Sequence, residues 1–429
     1  MRILVIGGYG LIGSYVLARL HAEGHEVVGL GREVAAAERR FAFAHWIKGD
    51  LSHMTRIADW TRALAGFDAV VNCAGALQDS PRDDLRAVHV EACRALYGAC
   101  AANGPRRVVH MSAAGVGPDR PTAFNATKLE AEQVVRSLDL DWVILRPGLV
   151  LAPAAYGGTA LLRGLAGFAG VIPISNPDAV VQVVSVEDVA LAVARALQPT
   201  APSRLSIDLA HPEPTSLADI VLALRRWLGF PAARLVRIPA GLAARLADAI
   251  AWLGWRSPMR TTSLAQLNNG VTGEPGAGLN PLGVSLKSLD EILAGWPSGV
   301  QERWFARLYF MKPAALVVLI AFWFASGLIG LTTGFGAAVK VLSSTGVTSG
   351  AAKLTVAGGS VIDMALALAA CLRSMAPRAL QGMVLVSAAY LAGGTFLRPD
   401  LWLDPLGPYA KILPGALLAL TTLAVMDER

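Results

Sequence analysis

The sequence predicts an α/β domain with a doubly wound parallel sheet in the N-terminal part and a four-helix transmembrane domain in the C-terminal part. Over residues 1–150, short runs rich in valine and isoleucine alternate with amphipathic segments. This alternation is typical of a parallel sheet covered by helices on both faces. Charge then becomes scarce, because residues 313–429 carry 12 of the 70 Asp, Glu, Lys and Arg side chains.

The predicted strands of the first part are nearly continuous in apolar residues, as expected where both faces of a sheet are buried. They cover Ile3–Ile6, His25–Leu30, Ala44–Ile47, Ala69–Asn72, Arg107–Ser112 and Trp142–Arg146. The helical segments between them are Leu11–Ala22, Thr55–Ala65, Leu85–Asn103 and Asn125–Ser137. Residues 151–310 are less regular and predict Val180–Val186 as a strand, Val186–Leu197, Thr215–Leu228 and Gly241–Leu253 as helices, and 268–283 as a loop.

Four segments of the C-terminal part are apolar and long enough to cross a bilayer. They cover residues 313–332, where the uncharged run continues to Val339, then 354–372, 379–397 and about 405–426. Aromatic and basic residues just before the first segment predict an interfacial belt: Trp304, Phe305, Arg307, Tyr309, Phe310 and Lys312. The alternative, four buried helices of a water-soluble domain, is disfavoured by the length and uniform apolarity of the first segment.

The basic residues around these segments predict a multi-pass membrane protein whose N-terminal domain lies in the cytoplasm. Cytoplasmic loops are enriched in Lys and Arg, and five such residues flank the predicted cytoplasmic ends: Arg303, Arg307, Lys312, Arg373 and Arg378. Lys340 and Lys353 lie in the opposite loop, so the bias is modest.

Charge and cysteine spacing argue against two classes of function. The net charge of +6 is mild for 429 residues, and no basic patch of the kind that nucleic acid requires is present, so we expect no nucleic-acid partner. The cysteines, Cys73, Cys93, Cys100 and Cys371, show neither metal-binding spacing nor a disulfide framework. We therefore expect no metal, and a reducing compartment.

A glycine-rich segment follows the first predicted strand and opens the first predicted helix. It satisfies both G-x-G-x-x-G and G-x-x-G-x-x-G, in which glycines allow a tight turn and close approach of a pyrophosphate to the helix N-terminus. A purely structural glycine turn is the alternative. The position after a strand is the required context, so we predict that the segment binds a dinucleotide through Gly7, Gly8, Tyr9, Gly10, Leu11, Ile12 and Gly13.

The end of the second strand bears on which dinucleotide is bound. Sites for NAD usually place an acidic residue here to hold the ribose 2′-hydroxyl, whereas this chain has Gly31 followed by Arg32. A small residue and a guanidinium suit a 2′-phosphate. We predict NADP as the cofactor, with NAD as the second choice; a solvated Arg32 is the alternative.

Further motifs make residues 1–200 resemble an extended or atypical short-chain dehydrogenase/reductase of the NAD-dependent epimerase/dehydratase type. They are Lys48-Gly49-Asp50-Leu51, Asn72-Cys73-Ala74-Gly75, Val109–Gly115, Leu145-Arg146-Pro147-Gly148 and Gln182–Ala190. The resemblance implies a Rossmann fold and further cofactor contacts from Asp50, Leu51, Cys73, Ala74, Gly75, Ser112, Lys128, Pro147 and Gly148. The branch that looks most similar includes the nucleotide-binding accessory subunit of respiratory complex I.

The C-terminal part is similar to DoxX-like membrane domains, mostly in hydropathy. We accordingly expect an NAD(P)-binding Rossmann domain over residues 1–200, a substrate-side subdomain and juxtamembrane segment over 201–310, and the DoxX-like domain over 311–429.

The family's catalytic pattern is incomplete in this chain. The resemblance implies a serine, a tyrosine that transfers a proton and a lysine four residues later, but Phe124 stands in the tyrosine position. Ser112 and Lys128 remain as catalytic candidates, and His89 replaces a helix asparagine. This pattern leaves three alternatives. Another group, such as His89, Tyr156 or a water on the substrate side, supplies the proton, or Phe124 packs on the nicotinamide and the domain binds the nucleotide without normal turnover. In the third alternative, the hydride passes to a flavin or quinone-like acceptor.

One carboxyl group lies inside a predicted membrane span. Asp363 is expected to face the bundle interior, because a carboxyl at that depth is costly. Its candidate partners are Ser326, Ser360 and Tyr390, a quinone or a proton path; a position nearer the interface is the alternative.

Two functions remain open at this point. One is an NADP(H)-dependent oxidoreductase that acts on a membrane lipid or quinone-like substrate. The other is a catalytically impaired, nucleotide-binding structural or assembly protein with a membrane-protein partner. The incomplete triad leaves open whether the protein is an enzyme.

Overall fold

The computed structural model describes residues 1–76, 79, 84–119, 122–239, 241, 242, 245, 271–274 and 281–426. They form two compact units, and the chain passes from the first to the second between Glu302 and Arg303. This transition falls inside one helix, Val300–Leu331.

The first unit is built on strands connected by helices. In chain order the described strands are β1 (Arg2–Ile6), β2 (Glu26–Gly31), β3 (His45–Lys48), β4 (Ala69–Asn72), β5 (Arg107–Met111), β6 (Asp141–Pro147), β7 (Leu149–Leu151), β8 (Val171–Ile174), β9 (Val180–Val181), β10 (Val183–Ser185), β11 (Leu205–Leu209), β12 (Thr215–Ser216) and β13 (Arg234–Arg237). Seven of them form a parallel sheet in the order β11-β6-β5-β4-β1-β2-β3.

Helices cover both faces of this sheet, which confirms the doubly wound prediction. Their bounds are α1 (Leu11–Ala22), α2 (Val34–Arg40), α3 (Ile57–Thr61), a π-helical turn Ala87–Glu91 that continues into α4 (Ala92–Asn103), α5 (Ala123–Ser137), α6 (Gly157–Ala166), α7 (Val186–Ala196), α8 (Leu217–Trp227) and a short helix Leu289–Ala294. Alternate residues of β1 enter opposite cores: Ile3 and Val5 pack with α1 and α7, whereas Leu4 and Ile6 pack with α3 and α4. This alternation follows from the two-residue period of a strand.

Several elements differ from the sequence predictions. The predicted strand Val180–Val186 is divided at Gln182, whose N–H donates to Val271 O and whose carbonyl accepts from Leu149 N. The edge strand β11 was not predicted, because Leu205–Leu209 alternates apolar and polar residues and is short. The predicted helix Gly241–Leu253 lies almost entirely outside the described residues, as does much of the predicted loop 268–283.

The second unit is helical, as predicted. Three helices are long and apolar enough to cross a membrane, namely Val300–Leu331, Ser349–Cys371 and Ala376–Leu397, called here the first, second and third membrane helices. A fourth apolar helix, Pro408–Ala424, has 17 residues. The uncharged run after residue 331 does not extend the first helix, since a separate helix forms at Phe335–Ser343.

Candidate dinucleotide site

The glycine loop connects β1 to α1 through a turn that only glycine allows at two positions. Gly7 adopts a φ of 72°, and its N–H donates to Leu30 O at 3.1 Å. A Cβ atom at Gly13 would lie 2.2 Å from Gly7 O, which is backbone and cannot give way. The first turn of α1 therefore packs directly on the loop.

The N-terminus of α1 has the features of a phosphate site. Gly10 precedes the helix in an extended conformation, and no side chain caps it. A Cβ at Gly10 would meet one atom within 4 Å, Gly7 O at 3.2 Å, so the space above the helix N-terminus is open. Free N–H groups and the helix dipole favour an anion there. These residues fit a pyrophosphate.

Tyr9 occupies the end of β2, where a ribose-binding side chain usually lies. A Cβ at Gly31 would be 2.2 Å from Cε1 of the Tyr9 ring, and Arg32 N donates to Tyr9 Oη at 3.2 Å. The Tyr9 and Trp46 ring centroids are 6.0 Å apart. The glycine at position 31 therefore makes room for a phenol of the same site.

Asp50 and Leu51 follow β3 in a turn next to this end of the site. The Asp50 carboxylate accepts from Ser52 N at 3.1 Å, and its carbonyl accepts from the N–H groups of His53 and Met54. Leu51 packs on the core shared by α3 and α4. The turn is thus held by its own backbone, and Asp50 stays half-buried.

The segment after β4 contacts the glycine loop. A Cβ at Gly7 would lie 2.9 Å from Ala74 Cα, so the two loops meet backbone to backbone. Asn72 orients the segment, because its Oδ1 accepts from Ala74 N at 3.1 Å while its Nδ2 donates to Tyr97 Oη at 3.3 Å. Burial raises the pKa of the Cys73 thiol to about 12, so this thiol stays protonated.

Lys128 is buried at the reactive end of the site. Its Nζ donates to Met111 O at 2.9 Å, and a Cβ at Gly75 would lie 3.4 Å from the same nitrogen. Burial lowers the pKa of Lys128 below its usual value. The structure therefore brings Lys128 together with Gly75 and the end of β5.

Phe124 lies one helical turn before Lys128 and contacts His89. The ring centroids of Phe124 and His89 are 5.7 Å apart in an edge-to-face arrangement. His89 Nε2 accepts from Ala76 N at 3.1 Å, and the other ring nitrogen lies 2.9 Å from Thr127 Oγ1. Since Nε2 is an acceptor, Nδ1 carries the proton and donates to the threonine.

This arrangement leaves His89 unsuited to replace the missing tyrosine. Both ring nitrogens already have protein partners, and burial lowers the pKa of His89 to about 2, so the ring is neutral. His89 instead holds the segment that follows β4. Tyr156, the other protein candidate, precedes α6 with 40% of its surface exposed, and its carbonyl accepts from Thr159 Oγ1.

Ser112 is bound to a buried carboxylate that the sequence analysis did not single out. Its Oγ donates to Glu132 Oε1 at 2.6 Å, and Glu132 also accepts from Arg146 Nε at 2.8 Å and Nη2 at 2.5 Å. Glu132 is 1% exposed. Its spacing, four residues after Lys128 on the same helix face, is the sequence signal that could have found it.

The turn after β6 closes the site. Pro147 O accepts from Ala114 N at 2.9 Å, and Gly148 N donates to Leu209 O at 2.9 Å. A Cβ at Gly148 would lie 2.3 Å from Gln182 O. Pro147 and Gly148 are therefore locked between the loop after β5 and the strands β10 and β11.

A polar cavity of about 540 Å³ opens beside this network. Its lining includes Arg146, Ser206, Asp208 and Glu274. Burial raises the pKa of Asp208, while the N–H of Glu274 lowers it in part by donating to the carboxylate. The charged and hydroxyl side chains in this lining can bind a polar group.

Two family models match the chain. One is described as NAD(P)H-binding and matches residues 7–199; the other is described as the DoxX-like family and matches residues 320–421. The chain joins an NAD(P)-binding domain to a DoxX-like domain. Both halves of the resemblance found in the sequence are confirmed.

Curated relatives match the NAD(P)-binding part. A Mycobacterium tuberculosis protein without a functional name is 29% identical over 53% of this chain, which spans 23% of that relative. The dTDP-6-deoxy-L-talose 4-dehydrogenase (NAD(P)(+)) of Kitasatospora kifunensis is 33% identical over 37% of this chain and 56% of that enzyme. The mitochondrial 40 kDa subunit of NADH-ubiquinone oxidoreductase from Neurospora crassa is 26% identical over 50% of this chain and 57% of that subunit.

Solved structures share the fold of the NAD(P)-binding part. The enzyme WbmG of Bordetella bronchiseptica, in complex with NAD, superposes with a TM-score of 0.52 at 19% identity, covering 68% of this chain and 91% of that enzyme. The UDP-glucose 4-epimerase of Bifidobacterium longum, in complex with NAD⁺ and UDP, gives 0.53 at 15% identity, covering 73% and 99%. At these identities the likeness concerns the fold.

Proposed function

We propose that this protein is a membrane-anchored oxidoreductase that uses NADP(H), with NAD(H) as the second choice, on a lipid-soluble, quinone-like substrate. The observation that carries the proposal is the contrast between an open dinucleotide cradle around Gly10 and a reactive end where Phe124 replaces the proton-transferring tyrosine. A bound nicotinamide would supply a hydride.

The missing acid narrows the substrate class. Reduction of an ordinary carbonyl creates an alkoxide, whose conjugate acid is about as weak an acid as water, so a protein acid is needed. A quinone yields a phenol-type oxygen with a pKa of about 10, as in tyrosine, which takes its proton from water. In this proposal Lys128 holds the nucleotide and stabilises negative charge at the reactive end.

The membrane part would bring such a substrate to the anchored domain. Three helices long enough to cross a bilayer support the anchor, and the cations in the N-terminal part of the first membrane helix favour a cytoplasmic NAD(P)-binding domain. Tethering raises the effective concentration of a substrate that is dissolved in the same membrane.

The first test is a fluorescence titration of the detergent-purified protein with NADPH and NADH. We expect both nucleotides to bind, NADPH more tightly than NADH. Arg32→Ala should lower the ratio of the NADPH affinity to the NADH affinity by about tenfold, which corresponds to 1.4 kcal/mol. Arg39→Ala, which changes another cation of the segment after β2, is the matched control. Equal binding of both nucleotides to the unmodified protein would contradict the NADP assignment, and no binding would contradict the function itself.

A second candidate function is nucleotide binding without turnover, as a structural or assembly component of a membrane complex. It is favoured by the internally satisfied His89 and Ser112, because neither presents an unused proton to a substrate. The relative named as a subunit of NADH-ubiquinone oxidoreductase makes a membrane-protein partner a natural hypothesis.

Two assays together separate the two functions: quinone-dependent NADPH oxidation by the native protein, and carbonyl reduction by Phe124→Tyr. If the native protein reduces quinones, NADPH oxidation should depend on added quinone before any substitution is made. If it only binds the nucleotide, we expect no quinone-dependent oxidation, while Phe124→Tyr gains carbonyl reduction on the order of 10²–10⁴-fold, the usual contribution of a general acid. The double variant Phe124→Tyr/Lys128→Met should lose that gain.

A further inference from the structure

Asp363 lies deep within the second membrane helix. It precedes the end of Ser349–Cys371 by eight residues, which at 1.5 Å per residue places it roughly 12 Å from that end. A hydrocarbon layer of about 30 Å has its middle near this depth. The carboxyl group is also buried against neighbouring helices, since Asp363 is 5% exposed.

Two neutral hydroxyl groups hold the carboxyl. Tyr390 on the third membrane helix donates to Oδ1 at 2.9 Å, and the Ser326 hydroxyl on the first lies 3.3 Å from Oδ2, where it can donate to a carboxylate or accept from a carboxylic acid. Two of the three partners predicted from the sequence are therefore confirmed. Three helices converge on one side chain, and Tyr390 keeps 40% of its surface exposed on the outside of this junction.

Glycines bring the helices close enough for this junction to form. A Cβ at Gly327 would lie 2.4 Å from Ser360 O, and one at Gly330 would lie 2.2 Å from Ser360 Oγ. A Cβ at Gly359 would lie 2.8 Å from Tyr390 Oη. Small residues that permit such contact are typical of packed membrane helices. The carboxyl therefore sits in a tightly built site rather than in a loosely packed gap.

In the part of the chain that the structure describes, the carboxyl is bonded by hydroxyl groups rather than by a cation. Apart from Asp363, residues 313–339, 354–372 and 379–397 contain no Asp, Glu, Lys, Arg or His. In the described part of the chain, Tyr390 is the one titratable side chain that bonds to Asp363. The bonds of Asp363 are to Tyr390 and Ser326, and they involve neither Lys353 on its own helix nor Lys340, Tyr409 and Lys411 on other helices. An ionised carboxylate with neutral partners is expensive at this depth.

We propose that Asp363, Tyr390 and Ser326 form a proton-binding site inside the bilayer, in which Asp363 is a neutral carboxylic acid at neutral pH. The phenol of Tyr390 can donate and accept, so it connects the buried acid to the exposed side of the helix pair. This inference is independent of the proposed function, because it rests on the second unit by itself.

Such an acid reacts with a lipid-soluble carbodiimide. The carboxylic proton moves to one carbodiimide nitrogen, and the carboxyl oxygen bonds to the central carbon, so the adduct keeps every atom of both molecules. It then rearranges to a stable N-acylurea, which marks the modified residue by its mass. An ionised carboxylate lacks the proton that starts this reaction.

The experiment treats the full chain in lipid vesicles with dicyclohexylcarbodiimide and maps the adduct by peptide mass spectrometry. We expect Asp363 to be modified about tenfold more than Asp400, which is exposed, and Asp404, which is half-buried, because Asp363 meets the reagent in the lipid phase. A water-soluble carbodiimide should reverse this order. Modification of Asp363 should persist at neutral pH, where an ordinary aspartate, with a pKa near 3.9, is ionised.

The controls keep the result independent of variant folding, since the primary measurement uses the unmodified protein. Asp363→Asn should remove the adduct and Asp404→Asn should leave it. Tyr390→Phe, which keeps the ring and removes one bond to the acid, should speed the modification. An unmodified Asp363 in a mapped peptide, or reactivity already lost by about pH 6, as for an ordinary carboxylate, would overturn the proposal.

Discussion

The two ends of the dinucleotide site differ in how their polar groups are used. At the pyrophosphate end, the N-terminus of α1 has no capping side chain, because its N-cap residue is Gly10. At the reactive end, Ser112, His89 and Lys128 all donate to or accept from protein atoms. One end therefore offers free donors to a ligand, whereas the other satisfies its polar groups internally.

This difference separates binding from chemistry within one site. A helix N-terminus and glycines are sufficient to hold a phosphate, but proton transfer requires a side chain whose proton is free to move. The replacement of tyrosine by Phe124 removes that proton, and the hydrogen bonds of His89 show that the neighbouring ring does not supply it. The site is thus better equipped to bind a nucleotide than to protonate a substrate.

The largest effect should come from breaking the network at the reactive end. Glu132→Ala would leave the guanidinium of Arg146 and the hydroxyl of Ser112 without their buried partner, and removing one member of a buried ion pair costs about 3–5 kcal/mol. We expect a large fall in the unfolding midpoint measured by differential scanning fluorimetry. Glu132→Gln, which keeps the shape, should lose less; equal losses would indicate that the charge of Glu132, rather than its shape, dominates.

At the pyrophosphate end, Gly13→Ala should strongly weaken nucleotide binding. The added Cβ would collide with Gly7 O at 2.2 Å, so the loop must shift away from its present position. We expect affinity to fall by about 100-fold or more, near 2.7 kcal/mol, in an NADPH titration. Gly158→Ala is the matched control, because nothing lies within 4 Å of that Cβ position. A Gly13→Ala protein with native affinity would refute the role assigned to this contact.

Acid should destabilise the reactive end through its buried histidines. The pKa of His89 falls to about 2 in the folded protein, mainly because of burial, whereas an unfolded histidine titrates near 6.5. Below about pH 6.5 the unfolded chain binds the extra proton, so stability falls with decreasing pH by about 1.4 kcal/mol per unit for each such histidine. His89→Gln should flatten the pH dependence of the unfolding midpoint; an unchanged slope would assign the acid sensitivity elsewhere.

The smallest effect concerns the helix that carries Lys128. Thr122 caps α5 by accepting from Asn125 N at 3.1 Å, and the loss of such a cap costs about 1 kcal/mol. Thr122→Ala should lower both the unfolding midpoint and NADPH affinity slightly. Ser216→Ala removes the comparable cap of α8 and should lower only the midpoint. A similar loss of affinity in both variants would show that α5 has no special role in binding.

Strong local patterns made much of the fold predictable. Two elements have the predicted bounds. The helix Leu11–Ala22 has helical spacing next to the glycine loop, and the strand Ala69–Asn72 is a nearly continuous apolar run. The strand Leu205–Leu209 was missed, since its burial depends on pairing with β6, which the local sequence does not encode. The division at residues 200 and 310 stays a prediction.

The candidate site was predictable to the extent that it follows motifs. The glycine loop, Lys128 and the position of Phe124 are linear features, whereas the pairing of Glu132 with Arg146 depends on α5 packing against β6. Nothing in the local sequence indicated that His89 would accept from the backbone after β4. The placement of Asp363 was predicted because an isolated charge in an apolar run has few stable environments.

Tyr9 and Gly31 are in contact, so a change in which nucleotide the site prefers would require substitutions at both positions. An acidic residue at position 31, of the kind that holds a ribose hydroxyl, would meet the Tyr9 ring at 2.2 Å and displace the phenol that accepts from Arg32 N. A smaller residue at position 9 alone would leave a gap with no new ribose contact. Neither step improves the site by itself, so evolution towards an acidic ribose-binding residue would have to pass through a less fit intermediate or change both residues together.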